Sequence, residues 1–313
     1  MNKSSLLHAP ARPATLLRLH PVEWALLLVA VIWGGSYSAA KIATEQLPVL
    51  QFLVLRCGLT FRLLVPALRS ITSVPAWKRS LAGALVSGLV LLAIFICETV
   101  GVSLTTASNA AFLISLCVVF TPWCEWLLLG QRPERSALIA CALSFVGAAL
   151  LAFQEGVTLS HLSWGDALML LAALLRGVMV CLTRRQGLRF GLPALTLTAV
   201  QMGVMTAGSL VLMMALPGER WLPLPATASF WWAMAFLVLL CTIVAFFVQN
   251  HAAARISASR VALLMGSEPL WGALIAVVWR QEHMSLQGWM GGLMIVGATG
   301  WVLRPRRGRT ARA

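Results

Sequence analysis

The chain has 313 residues, 59% of them hydrophobic and 11% charged, with a mean hydropathy of +0.86 and a formal net charge of +14. So few charges cannot cover the surface of a water-soluble protein of this size, which excludes a soluble globular fold and makes lipid the solvent. In a soluble chain the positive balance would point to nucleic acid; here the placement of the charges along the sequence assigns them to membrane topology instead, and no nucleic-acid partner is expected.

A spanning helix needs about 20 mostly apolar residues. Runs of that kind lie at 22–41, 48–69, 81–102, 106–129, 134–153, 164–183, 193–215, 229–250, 258–279 and 286–303. The sequence therefore predicts an all-α polytopic membrane protein with ten transmembrane helices. Residues 1–21 form a basic N-terminal tail and 304–313 a basic C-terminal one. No small-residue cleavage site follows the first apolar run, so it reads as a retained span rather than a signal peptide. With the N-terminus inside, the inner segments hold Lys3, Arg12, Arg18, Arg69, Lys78, Arg79, Arg132, Arg135, Arg184, Arg185, Arg189, Arg255, Arg260 and the Arg304–Arg312 cluster. The outer segments hold only Lys41, Arg220 and Arg280. The positive-inside bias places both termini in the cytoplasm, and the C-terminal cluster suits contact with anionic lipid.

Taken in chain order, span one carries Trp33 well inside and Tyr37 one turn later on the same face, with Gly34 and Gly35 removing bulk beside them. Span two holds Arg56 about two turns in and Arg62 nearer its inner end. Span three places Glu98 about one turn below its outer end. Span four opens with Ser108 and Asn109 and span nine with Ser259, short side chains that suit a helix cap, and span four carries Cys117 and then Glu125 towards the inner end. Arg176 sits near the middle of span six; Gln249 and Asn250 close span eight; Glu268, Pro269 and Trp271 sit inside span nine. Span ten is glycine-bearing, with Gly288 and Gly292 one turn apart, which suits close packing within the chain or against a second copy. All seven cysteines fall within spans and read as small buried apolar residues, with no disulfide framework.

An ionisable group inside a bilayer costs roughly 2.5–3.5 kcal/mol on insertion scales, so each needs a reason to be there. Glu268 can serve as a cavity carboxylate for a substrate amine or a proton, or as the structural partner of an arginine. Pro269 removes a backbone donor beside it and loosens the preceding turn. Arg176 can pair with Glu268 or Glu98, stack on Trp33, or hold a substrate carboxylate through its two-pronged guanidinium. Glu98 can belong to the same site or reach water at the outer surface. Arg56 suits a tether between helices, while Arg62 and Glu125 lie near enough to the inner surface to snorkel.

The chain also repeats itself. Leu47-Pro48 returns as Leu192-Pro193, Ala107-Ser108 as Ala258-Ser259, and Val146-Gly147-Ala148 as Val296-Gly297-Ala298, at offsets of 145, 151 and 150 residues. Each half, 22–153 and 164–303, holds five spans. An odd number turns the second half upside down, giving a 5+5 inverted repeat about an axis in the membrane plane. The charges agree: the Arg132/Arg135 turn falls inside and its counterpart at Arg280–Glu282 outside. At an offset of 143, Trp33 corresponds to Arg176; at 151, Glu98 corresponds to Gln249 and Cys117 to Glu268. These mismatched pairs mark where a substrate would break the symmetry.

Ile32-Trp33-Gly34-Gly35-Ser36 with Lys41 resembles the first helix of EamA-type transporters of the drug/metabolite transporter superfamily. Leu47-Pro48 with Arg56 resembles their second helix. Thr106-Ala107-Ser108, and Glu268-Pro269 leading to Gln281-Glu282, resemble the fourth and ninth, and the two Val-Gly-Ala motifs the fifth and tenth. Gln131 departs from the pattern, standing where the first half usually carries glutamate. The resemblance implies a ten-helix transporter of the cytoplasmic (inner) membrane, with a central cavity lined by helices one, three, four, six, eight and nine. Such proteins commonly export amino acids, metabolites or toxic compounds.

The sequence reading is a secondary transporter that exports small metabolites or amino acids by alternating access. Its substrate-binding candidates are Trp33, Tyr37, Glu98, Arg176, Gln249, Asn250, Glu268 and Trp271. Proton coupling through Glu268 or Glu98 and facilitated diffusion both remain open. No Walker-type phosphate loop is present, no pair of histidines has metalloprotease spacing, and no catalytic, cofactor or metal residues are expected. A flippase for lipids or lipid-linked sugars, or a non-transporting membrane subunit, is the alternative.

Overall fold

In lipid every backbone N–H and C=O must be satisfied within its own segment, so an apolar chain of this kind folds as helices. The computed structural model describes residues 21–105, 107–154, 163–216, 221–280 and 285–303, and every regular element among them is helical. The order is α1 (Pro21–Thr44), α2 (Val49–Leu64) running into a 3-10 segment (Val65–Ile71), α3 (Trp77–Leu104), α4 (Ala107–Ser115), α5 (Cys117–Leu129), α6 (Arg135–Gln154) and α7 (Trp164–Phe190). Then come α8 (Ala194–Ala215), α9 (Ala228–Val238), a π turn (Leu239–Val244), α10 (Ala245–Ala253), α11 (Ala258–Met265), α12 (Glu268–Arg280) and α13 (Leu286–Leu303). Among the described residues, seven helical stretches are long and apolar enough to cross a membrane, which makes the chain a multi-pass membrane protein.

The ends of the helices follow from local chemistry. Pro48 and Pro193 cap α2 and α8 in nearly the same conformation, φ −55 ψ 144 and φ −58 ψ 138. Proline lacks the N–H that a first helical turn would leave unpaired. Gly130 (φ 67) closes α5 and Gly191 (φ 63) closes α7 in the left-handed conformation that glycine adopts without steric cost. Ser163 and Asp166 form a reciprocal capping box at the start of α7.

Two stretches expected as continuous spans are broken. The run 106–129 splits at Leu116 into α4 and α5, and the run 258–279 splits at Gly266–Ser267 into α11 and α12. At both breaks a serine turns its hydroxyl back on the carbonyl three residues earlier: Ser115 on Phe112 at 2.6 Å and Ser267 on Leu264 at 2.7 Å. A side chain that takes a backbone carbonyl in this way competes with the helical ladder. Pro269, with no N–H to give, then sits in the first turn of the restarted helix, where that donor would be unpaired in any case.

The packing pairs the two halves. α2 lies on α8, and α6 on α13. α3 lies on α7 much as the α9–α10 stretch lies on α1, and α5 lies on α7 as α12 lies on α1. Several of these crossings need glycine. A Cβ on Gly34 would meet the Gly272 nitrogen at 2.8 Å and the Trp271 Cβ at 2.9 Å; one on Gly147 would meet the Gly291 oxygen at 2.6 Å. Close approach of backbones without side chains between them is how helices pack when lipid offers no hydrophobic drive.

Candidate functional site

The broken helices bring charge to the middle of the bundle. Glu268 is the first residue of α12, where the exposed N–H groups of the first turn favour a carboxylate. Arg176 lies near the centre of α7, and its Nε donates to Glu98 Oε1 of α3 at 2.6 Å. Glu268 and the Cys117 thiol, which opens α5, both lie within electrostatic reach of the same guanidinium. One cation thus stands among two carboxylates and a thiol, contributed by α3, α5, α7 and α12. The Arg176 side chain keeps 32% of its surface open and Glu98 keeps 19%.

Two tryptophans flank the crossing of α1 over α12. Trp33 on α1 packs against three separate apolar clusters and stands where they join. Its Nε1 donates to the Cys241 carbonyl at 2.9 Å, and its ring lies 5.7 Å from that of Phe246. Cys241 belongs to the π turn, whose i→i+5 bonding shifts the carbonyl ladder. Arg56 braces the same turn, donating from Nε to Thr242 Oγ1 at 3.0 Å. It is a tether from α2 to the π turn. Trp271, three residues after Glu268, donates to Ser267 Oγ at 3.2 Å and lies against Gly34.

The remaining sequence candidates fall elsewhere. Asn250 is buried and donates to Thr198 Oγ1 at 2.9 Å and Gln201 Oε1 at 3.2 Å; Gln201 in turn donates to Ser87 Oγ at 3.3 Å. These bonds tie α10, α8 and α3 together. Gln249 is half-buried on α10. The side chains of Tyr37, Ser108 and Asn109 lie outside the described residues.

Glu125 departs from the expectation that it snorkels. It is 2% exposed, and it accepts from the backbone N–H of Ala258 at 2.8 Å and of Ser259 at 2.9 Å, and from the Ser259 hydroxyl. It therefore caps α11 across the boundary between the halves, which removes the need to reach water. Arg184 lies 3.8 Å from it and donates to the Ile256 carbonyl and to Gln131 Oε1. Nearby, Glu23 of α1 pairs with Arg260 of α11 at 2.7 Å. The repeat places Asp166 opposite Glu23 at the offset of 143, and Asp166 accepts from Thr105, just ahead of α4, at 2.5 Å. Each half thus begins with an acid that reaches across to the other side of a span boundary.

Sequence reasoning named the charged residues but did not find the two helix breaks or the π turn. Ser267-Glu268-Pro269 carried a signal for one break, in a serine that can bond backwards and a proline that restarts a helix.

A family model for EamA-like transporters matches residues 21–153 and again 163–304, which gives two repeats. An uncharacterized transporter of Archaeoglobus fulgidus is 26% identical over 284 residues, 87% of this chain and 93% of that protein. A protein of Streptantibioticus cattleyicolor named as a probable terminal-alkyne amino-acid exporter is 25% identical over 307 residues, 93% of this chain and 95% of its own. Another A. fulgidus uncharacterized transporter is 29% identical over 157 residues; there the match spans 47% of that protein and 50% of this one. A solved crystal structure superposes with a TM-score of 0.71 at 17% identity, covering 90% of this chain and 94% of its own, a likeness of fold.

Proposed function

This chain belongs to the EamA-like transporter family, and on that premise we propose that it exports small zwitterionic or amine-bearing metabolites, amino acids first among them, across a cytoplasmic membrane. The reading takes the ten apolar runs as ten spans in a 5+5 inverted repeat with both termini inside. The substrate occupies the space beside Trp33, Glu98, Arg176, Glu268 and Trp271, with Tyr37 and Gln249 as further lining and Asn250 as a strut behind it.

The observation that carries the proposal is the composition of the central cluster. One guanidinium lies in reach of two carboxylates at the joint of two broken helices. The groups alone sum to one net negative charge, which a substrate ammonium or a proton neutralises. A substrate carboxylate is matched by the open edge of Arg176, while the aromatic faces of Trp33 and Trp271 suit a cation or an apolar side chain. Binding at the junction of half-helices is the arrangement by which inverted-repeat transporters rock about a fixed site. The amino-acid exporter among the relatives sets the first substrates to try.

The test is counterflow of radiolabelled amino acids in proteoliposomes, preceded by a thermal-shift screen in detergent, where a ligand that binds the folded state raises the melting temperature. Transport that is lost in Glu268→Gln and Arg176→Gln, with both variants folded, supports the assignment. Normal transport of every substrate by both folded variants overturns it.

A further inference from the structure

Away from the central cluster, a cavity of about 260 Å³ opens between the C-terminal end of α7 and the N-terminal end of α3. Arg79, Arg185, Gln186, Val86, Leu182 and Phe190 line it, with Gly83 at its floor. Its chemistry is layered. Arg79 lies two residues after Trp77, the start of α3, and Val86 lies two turns further into the span; on α7, Arg185 is followed by Leu182 towards the middle of the span. The cavity therefore has a cationic mouth at the level where the helices leave the apolar layer, and an apolar wall running inward from it.

Neither Arg79 nor Arg185 has an ion-pair partner among the described residues, unlike Arg176, Arg184 and Arg260. Gln186, 5% exposed, forms part of the wall, and its side-chain oxygen has no hydrogen-bond partner among the described residues. Two unneutralised guanidiniums above an apolar slot are complementary to a phosphodiester carrying acyl chains: the phosphate binds at the mouth and a chain runs down Val86 and Leu182. A free anion would use the mouth and leave the apolar wall unfilled.

We propose that this crevice is a binding site for an anionic phospholipid, held by Arg79 and Arg185 and packed against Val86, Leu182 and Phe190. Because α3 and α7 carry Glu98 and Arg176, a lipid seated between their ends steadies the pair of helices that forms the central ion pair. The site does not depend on the substrate assignment.

The experiment is thermal unfolding of the purified full chain in a neutral detergent with added phosphatidylglycerol, phosphatidylcholine or inorganic phosphate. The expected result is a rise of about 3 °C or more with phosphatidylglycerol beyond that given by phosphatidylcholine, and none with phosphate. The double variant Arg79→Gln/Arg185→Gln loses this difference. Val86→Trp, which fills the apolar slot at an exposed position and keeps both charges, loses it as well. Arg132→Gln/Arg135→Gln, outside the crevice, keeps it. Equal shifts with the two lipids, a phosphate shift as large as that of phosphatidylglycerol, or retention of the lipid difference in both crevice variants would each overturn the proposal. So would its loss in the Arg132/Arg135 control.

Discussion

Glu268 and Cys117 hold the same place in the two repeats: each is the first residue of the second half of a broken helix, 151 residues apart. Both lie within electrostatic reach of Arg176. The repeat builds two equivalent helix starts beside one site, and the sequence puts a carboxylate at only one of them. If the proposed site holds, that asymmetry is what would let it tell one end of a substrate from the other.

Glu268→Gln keeps the size and hydrogen-bonding capacity of the side chain and removes its charge. The cluster then balances as one Arg176 with one Glu98, so the fold is expected to hold within about 1 kcal/mol. Transport of amine-bearing substrates is expected to fall at least about tenfold, because a lost charged contact is worth about 1.5–3 kcal/mol. Initial efflux rates and melting temperatures, measured on the same preparation, separate the two effects.

Arg176→Gln leaves Glu98 without its 2.6 Å partner. A partly exposed pair costs less to break than a sealed one, so a loss of about 1–3 kcal/mol is expected. The double variant Glu98→Gln/Arg176→Gln removes both charges and is expected to regain a good part of that loss. A double-mutant cycle on unfolding free energies reads the coupling directly; a cycle that closes to zero would mean the two residues do not act as a pair.

Gly34→Val tests the crossing of α1 over α12. The added Cβ would sit 2.8 Å from the Gly272 nitrogen, and backbone there cannot move aside as a flexible side chain would. Overpacking of this kind costs about 1–3 kcal/mol and is expected to lower both the yield of folded protein and its melting temperature. Gly297→Ala, where nothing lies within 4 Å, is the neutral control.

Glu125→Ala removes the cap on α11 and leaves Arg184 with a buried charge less well matched. A lost cap costs about 0.5–2 kcal/mol. Because Glu125 joins α5 of one half to α11 of the other, the same change is expected to raise the accessibility of a cysteine placed at Ala258 to a water-soluble thiol reagent. If that labelling rate does not change, the contact is a helix cap and no more.

Asn250→Ala removes the donor to Thr198 and Gln201 from a buried network. Its expected effect is a loss of about 1–3 kcal/mol in stability with no change in apparent substrate affinity. A raised KM with unchanged stability would return Asn250 to the substrate site.

The helical fold class and the repeat were legible in the amino-acid order because they depend on local properties; the side-chain caps were not, since Ser259, expected to open span nine as a cap, lies inside α11 and Ser257 caps it. Hydropathy partitions each segment into lipid, and Pro48 and Pro193 each start a helix without a partner's help. The residues of the proposed site were legible only as candidates. Helical periodicity says which side chains share a face, and it leaves open which face turns inward and where a helix stops. Arg176 had three possible partners in the sequence; packing of α3 against α7 selected Glu98. Glu125 looked close enough to the surface to snorkel; the start of α11 docks on it and turns it into a cap. Asn250 sat beside Gln249 in the sequence, and the rotation of α10 turned it towards α8. In each case the deciding contact joins residues far apart in the chain, and only the assembled helices bring them within bonding distance.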